Sequence, residues 1–227
     1  GADDEREGTE HSIEEIAEIY EPEVLAACRG ATPVLGGYSL GMLVAFELAN
    51  RFRRRGIEVP LLCSFDGFAP GFPRLLPLAQ RIESHARVFF GGDMLAKRTY
   101  LRDRYDRVRG RVLERLGRAH EAFEVPDAVT DPVARRHWQK VAAGLWHARC
   151  RYQPTDTSKS NLLLIRTATP NVWLGNSFED PLYGWSSFVT GRIGVAVVPG
   201  EHLHMFENPR ALAEILAPAI AQLRAGS

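Results

Sequence analysis

One pentapeptide constrains this chain more than any other stretch: Gly37-Tyr38-Ser39-Leu40-Gly41, a complete G-x-S-x-G. Pro33-Val34-Leu35 leads into it, and Met42-Leu43-Val44-Ala45-Phe46-Glu47-Leu48-Ala49 follows. That context reads as strand, sharp turn, helix. In a nucleophile elbow of this kind the small glycines admit a strained turn. The turn pushes the serine hydroxyl out of the backbone and aims the N-terminus of the next helix at it. Ser39 is therefore expected to be an exposed nucleophile, with a buried strand before it and a packed helix behind it.

The rest of the pattern agrees with an α/β chain. Ser12 followed by Glu15 is a capping-box signature, and Ile13, Ile16, Ile19, Tyr20, Val24 and Leu25 keep near-helical spacing. A helix is expected before the elbow strand. Behind the elbow, Val44, Leu48 and Phe52 continue a helix that closes on Arg53-Arg54-Arg55-Gly56, with cations at its negative end and glycine as the stop. Val59–Phe65 reads as a second strand, closed by Asp66-Gly67 and then by prolines at 70, 73 and 77. Asn161–Arg166 and Ile193–Val198 read as two more, and a last helix runs from Pro209 to about Leu223. Strands separated by helices imply a mainly parallel sheet with helices on its faces.

Residues 1–11 read as a flexible start, and residues 71–155 as a helical lid inserted in a single domain, 1–227. Within the insertion Leu101, Tyr105, Val108, Val112 and Leu116 form an apolar stripe among arginines that include Arg104 and Arg107. The arginines read as a solvated face. Phe89, Phe90, Leu95 and Tyr100 are expected to pack on one another or to line a substrate tunnel.

At 227 residues the chain is long enough to bury a full core. Its 28 basic and 28 acidic side chains cancel, so no global field favours nucleic acid or an anionic membrane. No apolar run is long enough to span a bilayer. Cys28, Cys63 and Cys150 are odd in number, with no C-x-x-C pair and no secretory segment before them. A reducing, cytoplasmic setting is expected, with each thiol serving as a small core residue and none as a metal ligand.

A serine hydroxyl needs a base to take its proton, and the base is held in one tautomer by a carboxylate. Of seven histidines, only His202 and His204 fall in a loop directly after an expected strand. Two carboxylates compete for the third place. Asp66 ends the strand after the nucleophile helix, and Asp180 lies in the loop after the next strand. Asp66 is favoured, because an aspartate at a strand's carboxyl end followed by glycine suits a site on that edge of a parallel sheet. Asp180 then reads as a turn residue before Pro181. The backbone N–H of Leu40, directly after the nucleophile, supplies one oxyanion donor.

Gly36-Gly-Tyr-Ser-Leu-Gly41, Tyr152-Gln-Pro154, Gly184-Trp185 and Pro199-Gly-Glu-His202 together resemble the thioesterase domains that end nonribosomal peptide and polyketide synthetases, over about residues 12–223. The resemblance implies the α/β-hydrolase fold and a Ser39, Asp66, His202 triad. It selects His202, because the family's base follows a P-G-acidic/amide pattern that His204 does not fit. His204 is expected to pack behind the loop. The position of Asp66 resembles that of the acid in terminal domains, and Asp180 that in stand-alone editing thioesterases. The implied activity is release of an acyl or peptidyl chain from the phosphopantetheine arm of a carrier domain upstream in the same polypeptide, by hydrolysis or macrocyclisation, with no cofactor bound by this domain. A generic esterase and a non-catalytic binding module are the remaining readings. The family also carries two further strands and a glycine-containing loop upstream of the first helix, which supply the second oxyanion donor. On that basis a protein of these residues alone is expected to be poorly stable and nearly inactive.

Overall fold

The structure is a computed structural model that describes residues 11–74, 76–91, 94, 97, 98, 101, 102, 105, 108, 109, 112, 125, 129–168 and 180–225. The chain forms two compact units, one built from Ser12–Arg74 and Arg151–Ser227, the other including Leu75–Cys150.

The first unit is a parallel sheet in the order β1-β2-β3-β4, with β1 Val34–Tyr38, β2 Leu61–Phe65, β3 Asn161–Thr167 and β4 Ile193–Val198. The register pairs Tyr38 with Phe65, Phe65 with Ile165, and Thr167 with Val198. All four strands therefore run out at one edge, where a parallel sheet collects the loops that carry chemistry. Strand β2 is buried on both faces, through Leu61, Leu62, Cys63 and Ser64, as a sheet covered on both sides requires.

Helix α1, Ile13–Cys28, starts on the capping box. Ser12 Oγ accepts from Glu15 N–H at 3.1 Å, and Glu15 returns a carboxylate to Ser12 N–H at 2.8 Å. Its buried line is Ile13, Ala17 and Glu21, one residue per turn, whereas Ile19 and Tyr20 stay exposed. The departure from the expected stripe has an electrostatic cause. Glu21 is 2% exposed because Arg51 Nε of the next helix and Arg55 Nε at that helix's C-cap reach its carboxylate at 2.7 and 3.0 Å. Helix α2, Gly41–Arg54, buries Met42, Leu43, Phe46, Leu48 and Phe52. A second link ties α2 to the returning chain, where Tyr152 donates its phenol to Glu47 Oε2 at 2.8 Å and Arg54 meets Asp156 at 3.1 Å. The arginine cluster at the end of α2 is accounted for by these carboxylates.

The second unit includes helix α3, Leu78–Gly91, and most of helix α4, Pro132–Arg151. Asp131 caps α4 by accepting from Ala134 N–H at 2.7 Å. Leu101, Tyr105, Val108 and Val112 lie on helical backbone and are exposed, as is Phe90. Arg104, Arg107, Leu95, Tyr100, Leu116 and the side chain of Phe89 lie outside the described residues. No helix among the described residues is long and apolar enough to cross a membrane. Of the three cysteines only Cys63 fills the core role expected of all three. Burial pushes its thiol up to about 11, while Cys28 is half-buried and Cys150 exposed.

Helix α5, Pro209–Ala225, lies against β4 and closes the sheet beside the strand ends. Ile165, Val198, Met205 and Leu212 form a core there, with Tyr38, Phe65, Ile215 and Leu216 packed around it.

Candidate active site

Ser39 occupies the turn between β1 and α2 with φ at 53°, a left-handed conformation that a residue with a Cβ adopts only where the surroundings enforce it. Here its N–H donates to Phe65 O at 2.9 Å, and its carbonyl accepts from Met42 N–H at 3.2 Å as α2 begins. Two glycines make the turn possible. A Cβ on Gly37 would lie 2.3 Å from the backbone of Gly41 and Met42. One on Gly67 would lie 2.7 Å from Ser39 O and 2.6 Å from Met42 Cβ. The second glycine of the motif is different, since a Cβ on Gly41 meets nothing within 4 Å. The steric need lies with Gly37 and Gly67. Leu40 is the N-cap of α2, and no side chain caps that turn. The N–H groups of Met42 and Leu43 donate to the carbonyls of Ser39 and Leu40 at 3.2 and 2.9 Å, and the positive end of the α2 dipole lies at this turn.

Asp66 follows β2, also left-handed at φ 51°, and its own N–H donates to Ile165 O at 2.8 Å. The carboxylate is 2% exposed. It accepts from Thr167 N–H at 3.2 Å, Thr167 Oγ at 3.1 Å and the Tyr183 phenol at 3.3 Å, and it pairs with His202 Nδ1 at 2.7 Å. Burial alone raises a carboxyl pKa, but the bonds from His202 and Thr167 outweigh it and hold Asp66 below its ordinary range. The group is an anion at neutral pH. Burial, helped by the Asp66 charge, pushes the Tyr183 phenol up to about 12, so Tyr183 remains a donor.

His202 opens a 3-10 turn, His202–Glu207, that follows β4. Its ring stacks on Tyr38 with centroids 4.8 Å apart and planes 22° apart. Met205 of the same turn is buried in the core, at 1% exposure. His204, expected to pack behind the loop, instead faces solvent near Glu207 at 3.9 Å, because the turn directs Met205 inward in its place.

Asp180 is engaged elsewhere. One carboxylate oxygen accepts from Leu182 N–H and the other from Gly184 N–H, both at 2.8 Å. This shapes the tight turn in which Tyr183 and Gly184 take φ of 52° and 83°. The turn has its own role beside Asp66. It carries the Tyr183 hydroxyl, and Trp185 behind it donates Nε1–H to Gly67 O at 2.8 Å. Arg166 secures the turn from below by donating to Pro181 O at 2.7 Å while its guanidinium lies 4.9 Å over the Tyr183 ring.

Thus the structure joins Asp66 to His202 and sets both beside the elbow strand through Tyr38, while Asp180 serves backbone amides. Gly67, Thr167 and Tyr183 are the participants that sequence reasoning missed. Gly67 had a signal, since Asp66-Gly67 stood out as a strand stop. Thr167 and Tyr183 had none, because their contacts with Asp66 span 101 and 117 residues.

A family model for the thioesterase domain matches residues 1–220. Chondramide synthase cmdD of Chondromyces crocatus is 29% identical over 204 residues, which take in 83% of this chain and 5% of that protein. The chain thus spans about a twentieth of the length of this curated relative. Among solved structures, the NocB thioesterase domain in covalent complex with a fluorophosphonate nocardicin G analogue superposes with a TM-score of 0.57 at 21% identity, over 95% of this chain and 78% of that one. The type II thioesterase BorB from the borrelidin biosynthetic cluster gives 0.53 at 22% identity, over 95% and 75%. The structural likenesses share the α/β-hydrolase fold. With the family match over nearly the whole length, the chain belongs to the thioesterase domain family.

Proposed function

We propose that this domain releases an acyl or peptidyl chain from the phosphopantetheine thioester of a carrier domain through an ester on Ser39. The observation that carries the reading is the 2.7 Å contact between His202 Nδ1 and a buried, ionised Asp66 beside the serine elbow. Asp66 accepts from Nδ1–H, which leaves the lone pair on Nε2. His202 then takes the Ser39 proton as Oγ bonds to the thioester carbon. Charge collects on the carbonyl oxygen, where the Leu40 N–H donates; one such donor is worth on the order of a hundredfold in rate. The C–S bond breaks, and His202 returns its proton to the departing thiolate. Water, or an amine or hydroxyl of the chain itself, attacks the ester in a second round and frees Ser39.

That the relative cmdD is a synthase, and that NocB is a thioesterase domain, supports a carrier upstream in the same polypeptide. The likeness to BorB supports the second reading, a stand-alone thioesterase that clears carriers. The acid separates the two readings, and the occupied oxygens of Asp180 favour the first. Asp66→Asn and Asp180→Asn should be compared on an acyl-pantetheine thioester in the full-length protein. Asp66→Asn is expected to lower kcat by roughly a thousandfold, and Asp180→Asn by less than about tenfold. The reverse order would transfer the acid to Asp180.

A further inference from the structure

We infer that Tyr38, the residue before the nucleophile, is a positioning residue for His202 that sets the distance and ring plane of the base relative to Ser39. This rests on the reading of His202 as the base for Ser39. Tyr38 touches a single 3-10 turn in three ways. Its phenol donates to the His202 carbonyl at 2.8 Å. Its ring stacks on the His202 ring at 4.8 Å and 22°. The same ring meets Phe206, four residues along, edge-on at 5.2 Å and 76°.

These contacts do different jobs. The hydrogen bond fixes the backbone from which the imidazole springs. The stack leaves the imidazole free only to slide in its own plane, and the bond from Nδ1 to Asp66 at 2.7 Å removes that freedom. Asp66 alone leaves the ring able to rotate about the line of its hydrogen bond, and Tyr38 closes that rotation. Phe206 holds Tyr38 in turn, and is itself backed by Phe65 of β2 at 5.5 Å. Tyr38 is the last residue of β1 and is bonded covalently to Ser39, so a shift of the elbow and a shift of the base turn are coupled through one side chain. Nucleophile and base otherwise lie 163 residues apart in sequence, on loops after β1 and β4, at opposite ends of the strand order. The phenol is partly buried near the Asp66 charge, which keeps it protonated and donating.

The test compares Tyr38→Phe, Tyr38→Leu and Tyr38→Trp with the unaltered protein and His202→Ala, all full-length, on an acyl-pantetheine thioester. Rates are normalised to folded protein by circular dichroism. Tyr38→Phe keeps the stack and loses the hydrogen bond, so kcat is expected to fall about tenfold with KM within about twofold. Tyr38→Leu loses both and should fall about a hundredfold, and Tyr38→Trp, which can stack again, should recover most of the difference between Leu and Phe. A merely structural role moves the thermal midpoint but leaves kcat per folded molecule unchanged. That result in Tyr38→Phe, with His202→Ala inactive, overturns the proposal even if Tyr38→Leu does not fold. Full turnover by His202→Ala overturns instead the reading on which it rests.

Discussion

Two residues with a Cβ, Ser39 and Asp66, sit at φ near 50°, and each is held there by a backbone hydrogen bond to the neighbouring strand. Strain of this kind costs on the order of 1–3 kcal/mol per residue and persists only where the surroundings over-determine it. Here the bonds to Phe65 O and Ile165 O, and the bare edges of Gly37 and Gly67, do so. Asp66 also couples the site to pH. Its pKa is lowered in the folded protein, so its stabilising contribution is present above the unfolded value, about pH 4, and is lost as pH falls through the folded one. The thermal midpoint of the unaltered protein should therefore fall more steeply as pH drops below about 4 than that of Asp66→Asn. Parallel curves for the two proteins would remove this account of Asp66. Ser39 stands out in sequence through a local pattern, the elbow, whereas the post-strand loop offers His202 and His204 alike and only the family resemblance separates them. Asp66 was legible only as one of two choices. The structure puts Asp66, and not Asp180, at 2.7 Å from His202 Nδ1 with Thr167 and Tyr183 on the same carboxylate, and no local pattern records a contact made across more than a hundred residues.

At the scale of elements, the strands and the first and last helices were readable as apolar runs or stripes, which for β2 and β3 reflect burial, whereas Val195 and Val197 of the edge strand β4 are exposed. The exceptions are physical. Helix α1 turns Glu21 inward and Ile19 outward because Arg51 of α2 and Arg55 at its C-cap supply partners for a buried carboxylate, which hydrophobic periodicity cannot foresee. Tyr152 is a similar case. It was noted as part of a resemblance, and its use is to donate to Glu47, a carboxylate only 4% exposed on the helix that carries the elbow. Arg54 reaches the other oxygen of Glu47 at 3.5 Å but is half-exposed itself. Tyr152→Phe leaves Glu47 Oε2 without its phenol, so unfolding free energy by urea titration is expected to drop by about 1–3 kcal/mol. A change below about 0.3 kcal/mol would mean that Arg54 or water satisfies the carboxylate unaided.

For the molecule as a whole, parallel topology gathers the chemistry. Because β1, β2, β3 and β4 all end at one edge, Ser39, Asp66, Thr167 and His202 arrive there from four separate parts of the chain. The fold thereby gathers distant sequence positions at one edge, where Asp66, Thr167 and His202 share hydrogen bonds and Tyr38, next to Ser39 in the chain, stacks on His202. The central claim is that Ser39 Oγ is the atom acylated and that Asp66 and His202 drive the transfer. Intact mass spectrometry of the full-length protein, mixed with a synthetic acyl-pantetheine thioester and followed by peptide mapping, tests it most directly. The account predicts one added acyl group on the peptide containing Ser39, absent in Ser39→Ala and slow to form in Asp66→Asn and His202→Ala. Turnover with no adduct on that peptide, or an adduct that forms equally in Ser39→Ala, would contradict it.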